Sequence, residues 1–578
     1  MTDSSTPNTQ CQPTLTTIQT STVALITHAL FLIHPYLVYD CGLCQQDILL
    51  LLSTCKYFSE ARLRHIGRMN LKIELGSPYI GTLLQSIGPS VKAASLDSTR
   101  WIDSVVARVP NPDTYVHRDY DYRKLVGSHS GWLSSLFLWR YPRSQDLIHF
   151  VILKRLDIRS ADCYVPWKLL VNLEQLKSDV VQFIPECHPP KLRILEVLGC
   201  NDDFAEVACC RNLRELKVAV VTKIGPVLNH RRGKDPIGIE RLEVQGWSSM
   251  NLNSIGSITS LKYLELDAEH ATNLSVFWFL RNLKELVLYV QNAFNVSPLQ
   301  GLQCLESLVL VSDELLDLSP LGHLINLKCL KLGHSSAFDF SPLASLVNLR
   351  DIDLQGASNL NYTNFMTEMT QLRTINLCQT RVGTLTQLQN CTQLKSLNLG
   401  DTSVSDITAL KNLTSLEILD LSNTMVADVT ALGALSELKE LYVASTLVTS
   451  LNPIANSTQL KHLIAFEAML TNEGVKALVS LKRLSRVILH GNFDFSDLSF
   501  LKGHETLTEL SISDTAVTDV LPLAEIFSLQ ILRCERTNIK TLEPLRGIKL
   551  QLLDCERSLF ETVPNWEGCR YSGDDEME

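Results

Sequence analysis

The chain has 578 residues, 45% of them hydrophobic and 20% charged, with a formal net charge of −10. That is ample material for a large core, and the negative balance gives no global argument for nucleic acid or for an anionic membrane surface. The 16 cysteines are scattered, which points to reduced thiols in the cytoplasm or nucleus rather than to a disulfide framework.

Residues 1–22 are rich in Thr, Ser, Pro and Gln and are expected to form a disordered tail. The first basic residue is Lys56, so neither a secretory signal nor an Arg-rich transit peptide is expected. The apolar run from Ser21 to Tyr39 carries His28, His34 and Pro35 and fits buried helices better than a membrane span. From 23 to 67 the pattern is helical. Leu30, Ile33, Tyr36 and Leu37 share one face, and Leu49, Leu52, Cys55 and Phe58 recur at helical spacing after Asp47. With Pro35-Tyr36-Leu37, then Asp47-Ile48-Leu49, then Cys55-Lys56-Tyr57-Phe58, this segment resembles the F-box. That family docks on the Skp1 adaptor of a cullin ubiquitin ligase. The resemblance implies that Leu30, Pro35, Leu37, Ile48, Leu49 and Phe58 hold the adaptor. It departs from the family at its start, where Ala29-Leu30 stands in place of Leu-Pro, and in a long gap before Asp47. The other reading is a helical cap on the apolar end of a repeat stack. Cys41, Cys44, Cys55 and His65 could offer four zinc ligands. Cys55, however, falls on the apolar helix face and no second close pair follows, so no metal is expected.

Residues 68–148 fit no repeat well and are expected to be an irregular entry segment, with room for one degenerate early copy from Ile80-Gly81 to Leu96. Its tract from Trp101 to Tyr141 interleaves aromatics (Tyr115, Tyr120, Trp132, Trp139) with cations (Arg118, Arg123, Lys124), as single-strand nucleic-acid sites do. Asp113, Asp119 and Asp121 break the charge, so a packed insertion or a partner-binding loop is expected instead, with no nucleic-acid partner.

From 149 to 560 the chain repeats. Leu416, Leu419 and Leu421 are followed by Thr424, Val426, Val429, Leu432 and Leu435, and the pattern restarts at Leu438. The same phase occurs at Leu261, Leu283, Leu305, Leu327, Leu349, Leu372 and Leu394, and onward at Leu460, Leu484, Leu507, Leu529 and Leu550. Steps are mostly 22 residues, with irregular copies from Leu153 to Ile239. A fixed period in the twenties marks a solenoid. The motif L-x-x-L-x-L-x-x-N/T-x-L resembles the leucine-rich repeat, and the tails (Asp317, Asp406 and Asp519 begin three of them) resemble those of the internalins and of the leucine-rich regulatory subunit of protein phosphatase 1. The resemblance implies an α/β repeat solenoid, a leucine-rich-repeat horseshoe with a parallel concave sheet.

Counting from Leu416 as the first position, Leu419 and Leu421 alternate inward while Ile418, Asp420 and Ser422 face out. The ninth position is Thr380, Thr402, Thr424, Thr446, Thr515 and Thr537, with Asn492 once. These side chains are expected to bond turn backbone. The few residues left before the next strand predict short 3₁₀ or extended convex turns, which Pro320, Pro342, Pro453, Pro522 and Pro544 fit.

The fifth-position column runs from Asp157 to Asp554. With the seventh-position column it puts two apolar patches on a face that should be wet: Val287, Tyr289, Val309 and Val311, and Tyr442, Ile464, Phe466 and Ile488. His462, Arg486 and His490 flank the second. Such patches mark partner sites. There is no phosphate-binding loop, dinucleotide fingerprint, zinc-protease motif or nucleophile elbow, so no catalytic residue, no cofactor and no enzyme are expected. The expected function is protein binding on the concave face, with two open alternatives. One is an F-box-type substrate receptor. The other is a scaffold or regulatory subunit whose N-terminal helices are only a cap. An internalin-type adhesin is disfavoured by the absent signal peptide and the cysteine usage. Residues 561–578 end in an acidic run from Asp574 to Glu578 and are expected to be a solvated tail.

Overall fold

A computed structural model of the chain describes three early strands, segments within 154–246, most of 252–556, Leu559 and the strand Arg570–Tyr571. The tail 1–22, the segment 23–67 expected to be helical, the Trp101–Tyr141 tract apart from the strand Ser135–Leu138, and the acidic run at the C-terminus lie outside the described residues. Contacts divide the chain into two compact units, one holding 1–200 and 205–217, the other 201–204 and 218–578.

In the first unit Leu71–Glu74, Ala93–Asp97, Ser135–Leu138, Arg155–Ile158, Gln175–Ser178 and Ile194–Cys200 pair in chain order, all parallel. The first three fall within 68–148, so parallel pairing occurs in the segment expected to be irregular. In the second unit, parallel pairing runs in chain order from Arg241–Val244 through Tyr263–Asp267 and onward to Arg570–Tyr571. From Tyr263–Asp267 to Leu552–Asp554 each strand is joined to the next by a short convex crossover, as parallel pairing demands.

The core is the leucine set. In the repeat from Leu416, the side chains of Leu416, Leu419, Leu421, Val426, Val429, Leu432 and Leu435 are all buried. The convex side consists of 3₁₀ turns such as Thr408–Asn412, Thr430–Ala434 and Asn452–Asn456. Pro342, Pro453, Pro522 and Pro544 sit at the start of such turns, where no donor is required of them. Asp317, Asp339, Asp406, Asp428, Asp497 and Asp519 each accept the N–H two residues on, at 2.8–2.9 Å, and so open the turn.

Two further positions shape the strand exit. The eighth residue is in the left-handed region at His334, Gln379, Asp401, Asn423, Ser445, Glu467, Asp514 and Arg536, with φ of 49° to 59°. At Gly356 the same place has φ 72°, and an added Cβ would lie 2.4 Å from His334 Nδ1. The ninth-position threonines donate to the sixth-position carbonyl: Thr402 to Leu399 at 2.6 Å, Thr446 to Val443 at 2.7 Å, Thr537 to Cys534 at 2.9 Å. Asn492 does more. Its Nδ2 donates to Leu489 and Ala465 carbonyls at 2.7 and 2.8 Å, and its Oδ1 accepts the Leu470 N–H at 3.0 Å, tying two repeats together.

Candidate functional site

The sheet register lines up the outward residues as the repeat spacing predicts. Glu265, Val287, Val309, Lys331, Asp353, Asn376, Asn398, Asp420, Tyr442, Ile464, Ile488, Ser511, Arg533 and Asp554 face one another in succession. The chemistry along this column is uneven.

At its middle the column is polar and self-satisfied. Asp353, Asn376, Asn398 and Asp420 each accept the N–H of their own seventh position, at 2.9–3.1 Å. Their oxygens are engaged by the strand's own end.

Around Tyr442 the face changes. Phe466 and His490 stack with ring centroids 4.6 Å apart and planes 6° apart. Burial lowers the His490 pKa below its ordinary value. Tyr442 donates to Glu440 Oε2 at 2.8 Å, and burial, with that bond, pushes its pKa up to about 12. The two expected apolar members behave differently from their neighbours. Ile464 is 8% exposed and Ile488 6%, so the isoleucines floor the site and do not project from it. In the register Ile464 lies between Tyr442 and Ile488, and Ile488 between Ile464 and Ser511. What solvent meets is the Phe466–His490 pair, Tyr442, His462 and Arg486.

Two acids organise the rim. His462 Nδ1 lies 3.6 Å from Glu440 Oε1. Arg486 Nε is 2.9 Å from Glu509 Oε2, while Arg533 donates to Glu509 Oε1 at 2.6 Å. Glu440 and Glu509 were not among the residues expected to form the site. Their signal was available, since Glu440, His462, Arg486 and Glu509 are successive partners in the register.

The first patch is smaller. Val287, Val309 and Val311 are half-buried and Tyr289 is exposed; Tyr289 pairs in register with Asp267 on one side and Val311 on the other. On its N-terminal side stands Glu265, the register partner of Val287, which accepts from the Tyr263 hydroxyl at 2.7 Å. The expected adaptor residues Leu30, Pro35, Leu37, Ile48, Leu49 and Phe58 lie outside the described residues, as do Cys41, Cys44, Cys55 and His65. Among the described residues no group of three His, Cys, Asp or Glu could hold a metal, and no helix is long and apolar enough to cross a membrane.

No family model matches the sequence, and no curated protein sequence matches it. Solved structures do. A leucine-rich-repeat protein of Leptospira interrogans superposes with a TM-score of 0.53 at 17% identity, over 66% of this chain and 96% of that one. This chain has the leucine-rich-repeat fold. The leucine-rich-repeat ectodomain of a plant membrane receptor kinase from Arabidopsis thaliana, solved with a Casparian strip integrity factor, gives 0.50 at 16% identity, over 87% of this chain and 65% of that one. An internalin of Listeria monocytogenes aligns over 74% of this chain and 98% of its own at 18% identity, with a TM-score of 0.38. The leucine-rich-repeat strands here thus carry an outward face whose polar middle and aromatic C-terminal part differ in chemistry.

Proposed function

We propose that this leucine-rich-repeat chain is a protein-binding solenoid rather than an enzyme, and that it takes its partner on the outward face around Tyr442, His462, Phe466, Arg486 and His490. The observation that carries this reading is the Phe466–His490 stack over the Ile464 and Ile488 floor, framed by the Glu440 and Glu509 pairs. Aromatic and Arg side chains over a desolvated floor, with satisfied charges at the rim, are the composition of an interface hot spot. The solved neighbours, one of them a receptor ectodomain with a bound factor, support binding over catalysis. Val287, Tyr289, Val309 and Val311 serve as a secondary contact. The free cysteines, such as the buried Cys391 and Cys534, support a reducing compartment, the cytoplasm or nucleus.

The finer form of the proposal is an F-box-type receptor. Residues 23–67 would hold Skp1 and its cullin, and the solenoid would hold the protein to be ubiquitinated. The motif in the sequence is its support. The alternative is a scaffold or regulatory subunit, similar in kind to the phosphatase-1 regulator, in which 23–67 is only a cap. Affinity purification of the full chain beside a version lacking residues 1–67, read by mass spectrometry, separates the two. Recovery of Skp1 and cullin only with the full chain is expected for the receptor; identical partners from both versions would leave the scaffold. For the face itself, Phe466→Ala combined with Arg486→Glu should remove the solenoid's partners while leaving the melting curve unchanged. Partners retained in full would defeat the proposed site.

A further inference from the structure

A second surface lies where the chain leaves the strands, at the tenth position. Here four consecutive repeats place Met425, Leu447, Met469 and Phe493, which are 67%, 50%, 57% and 75% exposed. The eleventh positions beside them, Val426, Val448 and Leu470, are buried, so the contrast is not a general looseness of the turn. The repeats before and after place Ser403 and Ala516 there, so the apolar run begins and ends within this stretch.

Backbone hydrogen bonds set the spacing of this ridge. The N–H groups of Met425, Leu447 and Met469 donate to the carbonyls of Val404, Val426 and Val448, one repeat earlier, at 3.0–3.1 Å. Adjacent main chains in such a ladder are about 4.8 Å apart, so the ridge extends on the order of 15 Å. The same bonds occupy the donors that an added strand would need. An extended peptide laid along the ridge would present same-face side chains about 6.6 Å apart, whereas a helix presents one per turn, about every 5.4 Å. The helix is the closer match.

Charge identifies the helix further. In the turn segments 400–406, 422–428, 444–450, 466–472 and 490–497 the charged residues are Asp401, Asp406, Asp428, Glu467, Asp494 and Asp497, with no Lys or Arg. The hydrogen bond from the Thr408 N–H to Asp406, and those from the Thr430 hydroxyl and N–H to Asp428, hold both carboxyls below their ordinary pKa, so both are ionised at neutral pH. His490, the one titratable nitrogen in these segments, has its pKa lowered by burial. The opposite edge, where strands begin, carries Lys395, Lys439 and Lys461, with Glu417 bonded by the first two. The edge beside the ridge is therefore acidic, while the opposite edge of the same repeats is rich in lysine.

We propose that the Met425–Leu447–Met469–Phe493 ridge is a docking site for an amphipathic helix whose apolar stripe is flanked by Lys or Arg. It stands apart from the Phe466–His490 site, and either can fail without the other.

The test uses the full chain and a labelled peptide of about 18 residues, Leu and Lys arranged at helical period, long enough to hold a helix on contact. Two controls have the same length: one alternates Leu and Lys at strand period, the other replaces Lys by Glu. Fluorescence anisotropy should show the helical Lys peptide binding at least about tenfold tighter than either control, and weakening with salt. Met469→Asp with Phe493→Asp should weaken it by about tenfold or more. Asp428→Asn with Glu467→Gln should weaken it less, while reducing the salt dependence. Phe466→Ala should leave it unchanged, because that residue belongs to the other site. All the altered side chains are exposed or half-buried, so unchanged thermal melting confirms the fold. Equal binding of the strand-period peptide, or of the Glu peptide, would overturn the proposal. So would a concentration-dependent dimer that Phe493→Asp abolishes while no peptide binds, since the ridge would then be covered by a second copy.

Discussion

The strands from Tyr263–Asp267 to Cys329–Gly333 are five residues long, and those from Asp351–Asp353 to Leu552–Asp554 are three. The motif is the same in both regions, so the difference lies at its variable positions. In the early strands the eighth residue is Ala268, Val290 or Ser312, none with positive φ, until His334 turns left-handed at φ 55°; the eighth N–H reaches the next repeat's seventh carbonyl in both regions, from Ala268 to Tyr289 as from Asn423 to Ala444. A β-branched residue such as Val290 resists the left-handed region. In the later strands the eighth residue turns left-handed, and from Asp353 to Asp420 the fifth residue captures the seventh N–H. The strand stops earlier. The lesson is that the leucines set the stack in both regions, while the variable positions set the chemistry each strand exit offers to a partner.

Four substitutions or conditions break or sharpen that comparison. The largest effect is expected at Asn492, whose buried amide makes three bonds across two repeats. Asn492→Ala leaves two carbonyls and one N–H without partners and should cost about 3 kcal/mol, read as a lower urea midpoint. Next is Asn423→Val, which forces a β-branched residue into φ 57°. It should cost about 1–2 kcal/mol, whereas the reverse change in the early region, Val290→Asn, should cost less and shorten the strand's protection from hydrogen exchange. Thr424→Val removes one hydroxyl bond, 2.5 Å to the Leu421 carbonyl, and should cost about 1 kcal/mol. If Thr424→Val matched Asn492→Ala, the ninth position would not act through bond number.

The smallest effect is one of pH. His504 is fully buried with Nδ1 2.9 Å from the Leu501 carbonyl, and burial, with Lys482 adding to it, lowers its pKa below 6.5. The unfolded chain then binds the proton more readily than the folded one. Stability is fully present above about 6.5 and falls as pH drops below it. Urea midpoints at about pH 7.5 and 5.5 should differ in the wild type and differ less in His504→Gln, an estimate that rests on the ordinary imidazole range. No change in slope between the two proteins would remove His504 as the cause.

Much of this was legible in the chain itself. From Asp157 to Glu196 and again from Glu243 to Asp554 the fifth-position column agrees pair by pair with the register, because a strict period in a parallel stack leaves no freedom of register. The 3₁₀ turns and their prolines followed from the shortage of residues between strands. The site was legible only in part. Tyr442, Phe466, His462, Arg486 and His490 do meet on one face, but Ile464 and Ile488 are its floor. Facing outward is a property of alternation; being accessible depends on how side chains from adjacent repeats pack. The rim acids Glu440 and Glu509 stand at the third position, outside the fifth and seventh columns, and the tenth-position ridge lies in turn residues that carry no alternation to mark them.

By itself the sequence determined the repeat, its phase, the inward leucines and the order of residues along the outward face, since each follows from a period that the backbone geometry must honour. Only the tertiary structure decided which outward side chains are accessible, which acids pair with which cations, and that Met425, Leu447, Met469 and Phe493 form one exposed line beside acidic groups. Those depend on distances between side chains from different repeats, set by the stacking of whole coils and not by any one copy of the motif.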